Sequence, residues 1–596
     1  MIWIDWAIVV AYMAFSLALG LYLSRRAAGG LVDFFVSGRS LPWWLAGTSM
    51  AATTFSIDTP LYIAGVVGTR GIAGNWEWWS FGIAHVVMIY VFARLWRRSE
   101  IITDAELTEL RYGGATAAWL RGIKAFLFAV PINCIGIGYA MLAMVKVIDA
   151  LQLWQSFGIE PGENLKLLSV VGVSVLVLVY AGFSGLWGVV ATDFFQFFLA
   201  LLGAIIVAVA AVINLGGMGS LVEQVRATGG TDLLAFVPLE RAGGWYRWSE
   251  TAGISISTFL AYVTLQWWAF RRSDGGGEFI QRLAASKDEA EAEKAAWFFN
   301  ILHYVIRTWP WVVVALAAVV IYPNLEDREL GYPMLMLDFL PPVLLGLVVA
   351  SLIAAFMSTV STLINWGASY LTNDLYGRFI RPEADQAELL LAGRLASVVV
   401  TAIGAIAALY SQDVATVFRL VIAIGTGPGL VLILRWFWWR INAAAELASM
   451  LAGFFVGLVT SVVPVLTIAD FGLRLMVTTA ITTIVWVTAM LLSAPENDAT
   501  LDAFYSKVRP GGPGWKRQRQ RTGIWPAQAL GRDLCRAGFA LLLLLGAMLG
   551  VGGFLLYQPL TGWFWLMVAV AGWVGLRRMG KTVLPVPRPG LNDPPG

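Results

Sequence analysis

Four hydroxyl side chains, Ser358, Thr359, Ser361 and Thr362, stand within five residues of one another in the run Ala354-Ala355-Phe356-Met357-Ser358-Thr359-Val360-Ser361-Thr362. The surrounding segment, 343–376, is long and apolar enough to cross a bilayer, where hydroxyls gain little from lipid. At helical spacing the four oxygens spread over roughly 160° of the helix surface. They therefore face two directions. Neutral oxygens buried inside an apolar span suit a hard monovalent cation, and the pattern points to a sodium site.

A second group of residues supplies what such a site lacks. The segment from Gly47 to Pro60 combines weak helix formers, an ionisable Asp58 and a proline whose ring removes a helix bond and clashes with the carbonyl of Ser56. The helix is expected to unwind there, freeing the carbonyls of Ala52 and Phe55 for a cation. A Pro kink with Asp58 in a structural ion pair is the alternative. Glu77, set among Trp76, Trp78 and Trp79, has to be paired or face water, which places it on the solute pathway. The tryptophans taken singly are expected to be interface anchors. Arg307 lies mid-span with His303 one turn away, and needs Glu77, Asp58 or an anionic solute group as partner. Asp193 either caps its helix or offers negative charge to an ion leaving inward. Lys146, Asp149 and Arg419 fall near helix ends and are expected at the interface.

These residues need a membrane scaffold to hold them. The chain has 596 residues, 58% hydrophobic and 13% charged, against about 25% charged in an average soluble protein. It reads as an all-α polytopic protein of about fifteen transmembrane helices. An extracellular N-terminus and a cytoplasmic C-terminus put almost all the loop arginines and lysines inside. Met1 to Ser24 is expected to be a first transmembrane helix, not a cleaved signal. The net charge of +3 is small and dispersed, which excludes a nucleic-acid partner. The cysteines, Cys134 and Cys535, suggest neither a disulfide nor zinc, and the two histidines, His85 and His303, have no metal-ligand or nucleophile spacing. An enzyme is not indicated.

The chain divides into a leading helix and loop (1–42), a five-helix group (43–214), an external loop (215–249), a second five-helix group (250–437), two further helices (438–493), a basic cytoplasmic linker read as solvated (494–536), a C-terminal helix pair (537–580) and a disordered tail (581–596). A short helix break is read at Ser184-Gly185. Each five-helix group opens with an interrupted span. An odd number of helices per group inverts the second, the arithmetic of an inverted-topology repeat with its site near the membrane midplane.

Several motifs together resemble the sodium/solute symporter family: Phe35 to Trp44, Trp187 to Asp193, Gln281 to Lys287, Ala354 to Thr362 and Asn373 to Tyr376. The resemblance covers roughly residues 1–492. It implies the inverted five-plus-five, LeuT-like fold and sodium-coupled symport of a small polar solute by alternating access. It implies a first sodium site on the carbonyls of Ala52, Phe55 and Ala355 and the hydroxyls of Ser358 and Thr359. A second sodium site, present in some members, maps onto Asp193, Ser358, Ser361 and Thr362. Solute contacts of the sugar carriers map onto Thr59, Glu77, Ser80 and Asn133, with Asp58 and Arg307 added from their placement in the span. The loop Arg271 to Glu278 departs from those carriers, as do apolar Leu420 and Val421. A sugar or sugar derivative is the expected solute; an amino acid or carboxylate, or a sensor on the same fold, is the alternative. Proton coupling through Asp58, Glu77 or Asp193 stays open. No cofactor beyond sodium ions and no obligate protein partner is implied, and the chain is expected in the inner (plasma) membrane.

Overall fold

Pro60 marks the principal irregularity of the fold. The computed structural model describes residues 1–24, 31–181, 185–229, 232–242, 245–249 and 252–580. Helix α1 (Trp3–Ser24) is followed by α2 (Trp43–Thr53) and α3 (Asp58–Arg70), two halves of one span that meet at a 55° bend. Pro60 sits in the first turn of α3, where a missing N–H costs no helix bond. The intervening backbone closes locally, Phe55 N–H bonding Ala52 O at 2.9 Å and Ser56 N–H bonding Thr59 Oγ1 at 3.3 Å.

The chain continues through α4 (Ile72–Ser99), α5 (Gly114–Ala150), α6 (Leu165–Ala181) and α7 (Gly185–Asn214). Residues 182–184, and with them Ser184 of the expected break, lie outside the described residues. A second interrupted span follows, α8 (256–269) and α9 (Gly277–Ala285). Between its halves Gly275 and Gly276 take φ of 133° and 76°, a left-handed backbone that other residues resist. Gly277 lets α9 approach the Trp366 ring, which an added Cβ would meet at 2.0 Å. Next come α10 (Glu289–Ile321), α11 (Leu344–Ile380), α12 (Gln386–Tyr410), and α13 (Val414–Gly425) with α14 (Gly429–Phe437), broken at Pro428. Helices α15 (Ala443–Val462) and α16 (Phe471–Leu492) precede α17 (Asp498–Val508), and α18 (Leu530–Leu555) and α19 (Pro559–Met579) end the described chain.

Among the described residues ten helices are long and apolar enough to cross a membrane, eleven with the bent α2–α3 pair. The expected count of about fifteen also takes in α1, together with α6, α8 and α13–α14, which are shorter or interrupted. The 215–249 loop contains the helix Met218–Gly229 and a short antiparallel hairpin, β1 (Leu239–Ala242) with β2 (Trp245–Trp248), a small departure from an all-helical chain.

Buried carboxylates fix the ends of the key helices. Asp5 of α1 accepts the N–H groups of Val343 at 2.8 Å and Gly346 at 3.1 Å, so the first helix caps α11, the helix that carries the hydroxyl cluster. Glu329 bonds the N–H groups of Val414 and Ala415 at the start of α13 and takes Lys146 at 2.6 Å, which removes Lys146 from the interface.

The 494–536 segment is folded, not solvated. Leu501, Phe504, Tyr505 and Val508 fall at helical spacing on one face of α17 and are buried with Trp515, whose indole donates to Trp436 O at 2.7 Å. Arg111 lies over the Tyr112, Phe504 and Trp515 rings. The 581–596 tail lies outside the described residues.

Replacing Asp5 with Ala should lower stability by roughly 1–2 kcal/mol, the usual cost of a lost N-cap. A thermal melt of the detergent-solubilised protein reads this as a lower Tm; a Tm equal to wild type would show that the α11 cap carries no weight.

Candidate ion and solute site

Helix α11 passes behind the α2–α3 break. Thr359 Oγ1 donates to Thr53 O at 3.0 Å, tying the hydroxyl cluster to the unwound strand. Ala52, Phe55, Ala355, Ser358 and Thr359 are all buried. The break thus brings one backbone carbonyl, Thr53 O, against a hydroxyl of α11, while Ala52 O takes Phe55 N–H; neutral oxygens of this kind suit a hard cation.

The oxygens assigned to a second ion run on from the first without a gap. Asp193 of α7 accepts Ser358 Oγ on Oδ1 at 2.6 Å and Ser49 Oγ of α2 on Oδ2 at 2.5 Å. Ser361 Oγ turns back to Ser358 O at 3.2 Å, and Thr362 Oγ1 lies 3.3 Å from Thr53 Oγ1. A fully buried guanidinium enters this group. Arg282 of α9 donates to Thr362 Oγ1 at 2.6 Å and Ser49 Oγ at 3.1 Å, with a nitrogen 3.8 Å from Asp193. Arg282 therefore supplies the positive charge that Asp193 needs in this conformation. Asp193 is neither a helix cap nor a lone carboxylate. The sequence shows Arg282 only as part of a motif, and Ser49 and Thr53 were legible only as hydroxyls near the break.

Immediately beside the break lies a cavity of about 150 Å³, bounded by both interrupted spans. Asp58, Thr59 and Arg307 line it, together with His303, Thr54 and Thr359. Arg307 donates to Ala51 O at 2.8 Å and Thr54 Oγ1 at 3.0 Å and contacts His303, so it holds the end of α2 in place. Its guanidinium also lies over the Phe55 and Trp311 rings. Tyr62 OH is a buried polar atom of this wall without a hydrogen-bond partner among the described residues, and the Asp58 carboxyl and Ser56 hydroxyl lie beside each other there, polar groups that suit a polar solute. Aromatic faces from Trp78, Phe81, Tyr139, Phe270 and Phe418 complete the lining.

The other expected solute contacts stand outside this lining. Glu77 is fully buried and accepts Arg419 at 2.9 Å, Arg70 at 3.0 Å and Tyr262 OH at 3.1 Å. Arg419 is thus a partner of Glu77 and not an interface residue. Ser80 Oγ accepts Gln266 at 3.3 Å, and Asn133 donates to Leu363 O at 2.9 Å. The tryptophans flanking Glu77 are buried instead of anchoring at an interface: Trp76 donates to Phe236 O of the 215–249 loop at 2.8 Å, Trp78 donates to Asn75 Oδ1 at 2.9 Å, and Trp79 packs against the Trp309 ring. The divergent 271–278 loop is held by its charges. Asp274 accepts Arg435 at 2.8 Å and Trp436 at 3.0 Å, and Glu278 pairs with Arg272 at the cavity wall.

Interrupted helices meeting at a cavity beside an oxygen cluster, in a multi-pass helical protein, are the architecture of a solute transporter. The model of the sodium:solute symporter family matches residues 34–453, and the chain belongs to this family. Among curated relatives, a sodium/glucose cotransporter of Vibrio parahaemolyticus is 27% identical over 480 residues, covering 75% of this chain and 83% of its own. A sodium/mannose cotransporter of Bos taurus is 25% identical over 494 residues, covering 76% and 78%. The fold is that of a Na+-coupled sialic acid symporter solved in a substrate-bound outward-open state, with a TM-score of 0.64, 20% identity, and coverage of 83% of this chain and 99% of that one. Sodium is the coupling ion of such transporters.

Asp193→Asn should cost roughly 3–5 kcal/mol, because it leaves the Arg282 guanidinium buried without a counter-charge. The double variant Asp193→Asn with Arg282→Met should melt above the single variant. Equal melting temperatures for the two would contradict the pairing.

Proposed function

We propose that the chain is a secondary active transporter that couples inward sodium flow to uptake of a monosaccharide-sized sugar or sugar derivative by alternating access. The observation that carries this is the position of Thr359, which bonds the broken helix at Thr53 O and also lines the cavity. A sodium ion held there by Ala52, Phe55, Ala355, Ser358 and Thr359 orders the cavity wall as it binds, so that ion and solute favour each other's binding. The cavity volume suits a single ring, and its mixture of polar groups and aromatic faces suits a sugar. The glucose and mannose named for the relatives support the same class.

Within this reading Asp58, Thr59 and Arg307 meet the solute directly. Glu77, Ser80 and Asn133 join the site only after the helices around them rearrange, since each is engaged with protein here. A second sodium at Asp193, Ser358, Ser361 and Thr362 requires Arg282 to withdraw from Thr362. The loop charges support about fifteen spans with the N-terminus outside and the C-terminus inside, built on the inverted five-plus-five core, in the inner (plasma) membrane.

In proteoliposomes, uptake of labelled glucose or mannose should rise with an inward sodium gradient. Thr359→Ala should weaken the apparent sodium affinity by roughly tenfold or more, since it deletes a ligand and leaves Thr53 O unpaired. Uptake of equal size without sodium, driven instead by a pH gradient, would overturn the assignment.

A further inference from the structure

A second cavity, about 360 Å³, lies at the end of the bundle that carries the 253–258 and 469–474 turns, the end the loop charges assign to the outside. Three arginines from three different helices line it: Arg70 at the end of α3, Arg419 of α13 and Arg474 of α16. Two of them share one carboxylate. Glu77 takes both Arg70 and Arg419 from beneath, is itself 0% exposed, and leaves their side chains 19% and 24% open. Arg70 Nε and Nη2 and Arg419 Nη1 have no acceptor among the described residues. Arg474 bonds only neutral oxygens, Ile468 O at 2.7 Å and Ser461 Oγ at 3.3 Å.

The one acidic residue in the wall is already engaged. Asp470 accepts Leu473 N–H at 2.7 Å, Ser257 Oγ at 3.0 Å and Thr258 Oγ1 at 3.3 Å, and is also bonded by Ser255 Oγ. Among the described residues three guanidiniums therefore face two carboxylates, one beneath the floor and one saturated by hydroxyls. The cavity keeps a surplus of positive charge and of aimed N–H donors. Planar guanidiniums match a carboxylate in pairs, and a concave site with low-dielectric walls draws an anion toward it.

We infer that this vestibule is a binding site for the carboxylate of an acidic monosaccharide, which it holds above the central cavity before the Arg70–Glu77–Arg419 cluster opens. The inference rests on the reading of the chain as a sugar carrier and adds a sugar bearing a carboxylate to its solutes. The arriving carboxylate takes the place of Glu77 at Arg419 and Arg70. Glu77 then keeps the Tyr262 hydroxyl on α8 as its partner, so solute entry and loss of the Arg70–Glu77–Arg419 ion pairs become one event.

The test uses the full-length protein in nanodiscs without sodium, at constant ionic strength. D-Glucuronate should raise the Tm saturably, and D-glucose at equal concentration should not. Arg474→Gln, which removes a guanidinium bonded only to neutral oxygens, should weaken the glucuronate response roughly tenfold, and Arg474→Lys should weaken it less. An unchanged response in Arg474→Gln, an equal shift with glucose, or the same shift from chloride or inorganic phosphate would each overturn the inference. Ser358→Ala separates the two readings. It should abolish sodium-driven uptake while leaving the glucuronate shift intact; full uptake in that variant would overturn the ion site and leave the vestibule standing.

Discussion

Unwound backbone inside a bilayer has to find its hydrogen-bond partners within the protein or on a bound ligand, and the rest of this structure follows from that constraint. The α2–α3 break is tolerated because each exposed group meets a specific partner. Thr53 O takes Thr359, Ala51 O takes Arg307, and Ser56 N–H takes Thr59. In the proposed reading, an ion that prefers oxygen binds where Thr359 of α11 meets this backbone, and the site is a consequence of the break. The same logic explains why α11 is capped so firmly, with Asp5 reaching from the first helix to its N-terminus.

Charges buried in the bundle form connected groups, each spanning several helices. Asp193 with Arg282 joins α7 and α9 to the ion site. Glu77 with Arg70 and Arg419 joins α3, α4 and α13 near one face. Arg435 binds both Asp274 and Glu446, which also takes Lys124, linking the second break to α5, α14 and α15 near the other. Such groups are costly to break singly and cheap to exchange, since a displaced partner can be replaced by another charge. That property suits a protein whose two faces open in turn. The C-terminal helix α18 packs on α10, with Trp309 donating to Met548 O and seated against Gly552, where an added Cβ would come within 1.9 Å of its ring.

The break and the hydroxyl cluster were legible because each is local. Pro60, Asp58 and four hydroxyls in one apolar run carry their physical meaning within a few residues. Partners across the fold were not legible. Nothing near Asp193 in sequence indicates Arg282, and Arg419 looks like an interface residue until α13 is laid beside α4. Glu77 is the instructive case: its residue type demanded either a partner or water and was read as facing the solute pathway, but partners came from α3 and α13 and drew it away from the cavity lining. The 494–536 segment misled through its charge. Its lysines and arginines suggested a solvated linker, while the spacing of Leu501, Phe504, Tyr505 and Val508 held a helical face that only a period count would have revealed.

The central claim is that the oxygens gathered between the α2–α3 break and α11 hold sodium. Equilibrium binding of radioactive sodium to the purified protein tests it most directly, with Thr359→Val as the comparison because it keeps shape and removes the hydroxyl. Saturable sodium binding in the wild type, weakened roughly tenfold or more in a Thr359→Val protein of unaltered helical content, is the predicted result. Undiminished sodium binding in that variant would contradict it.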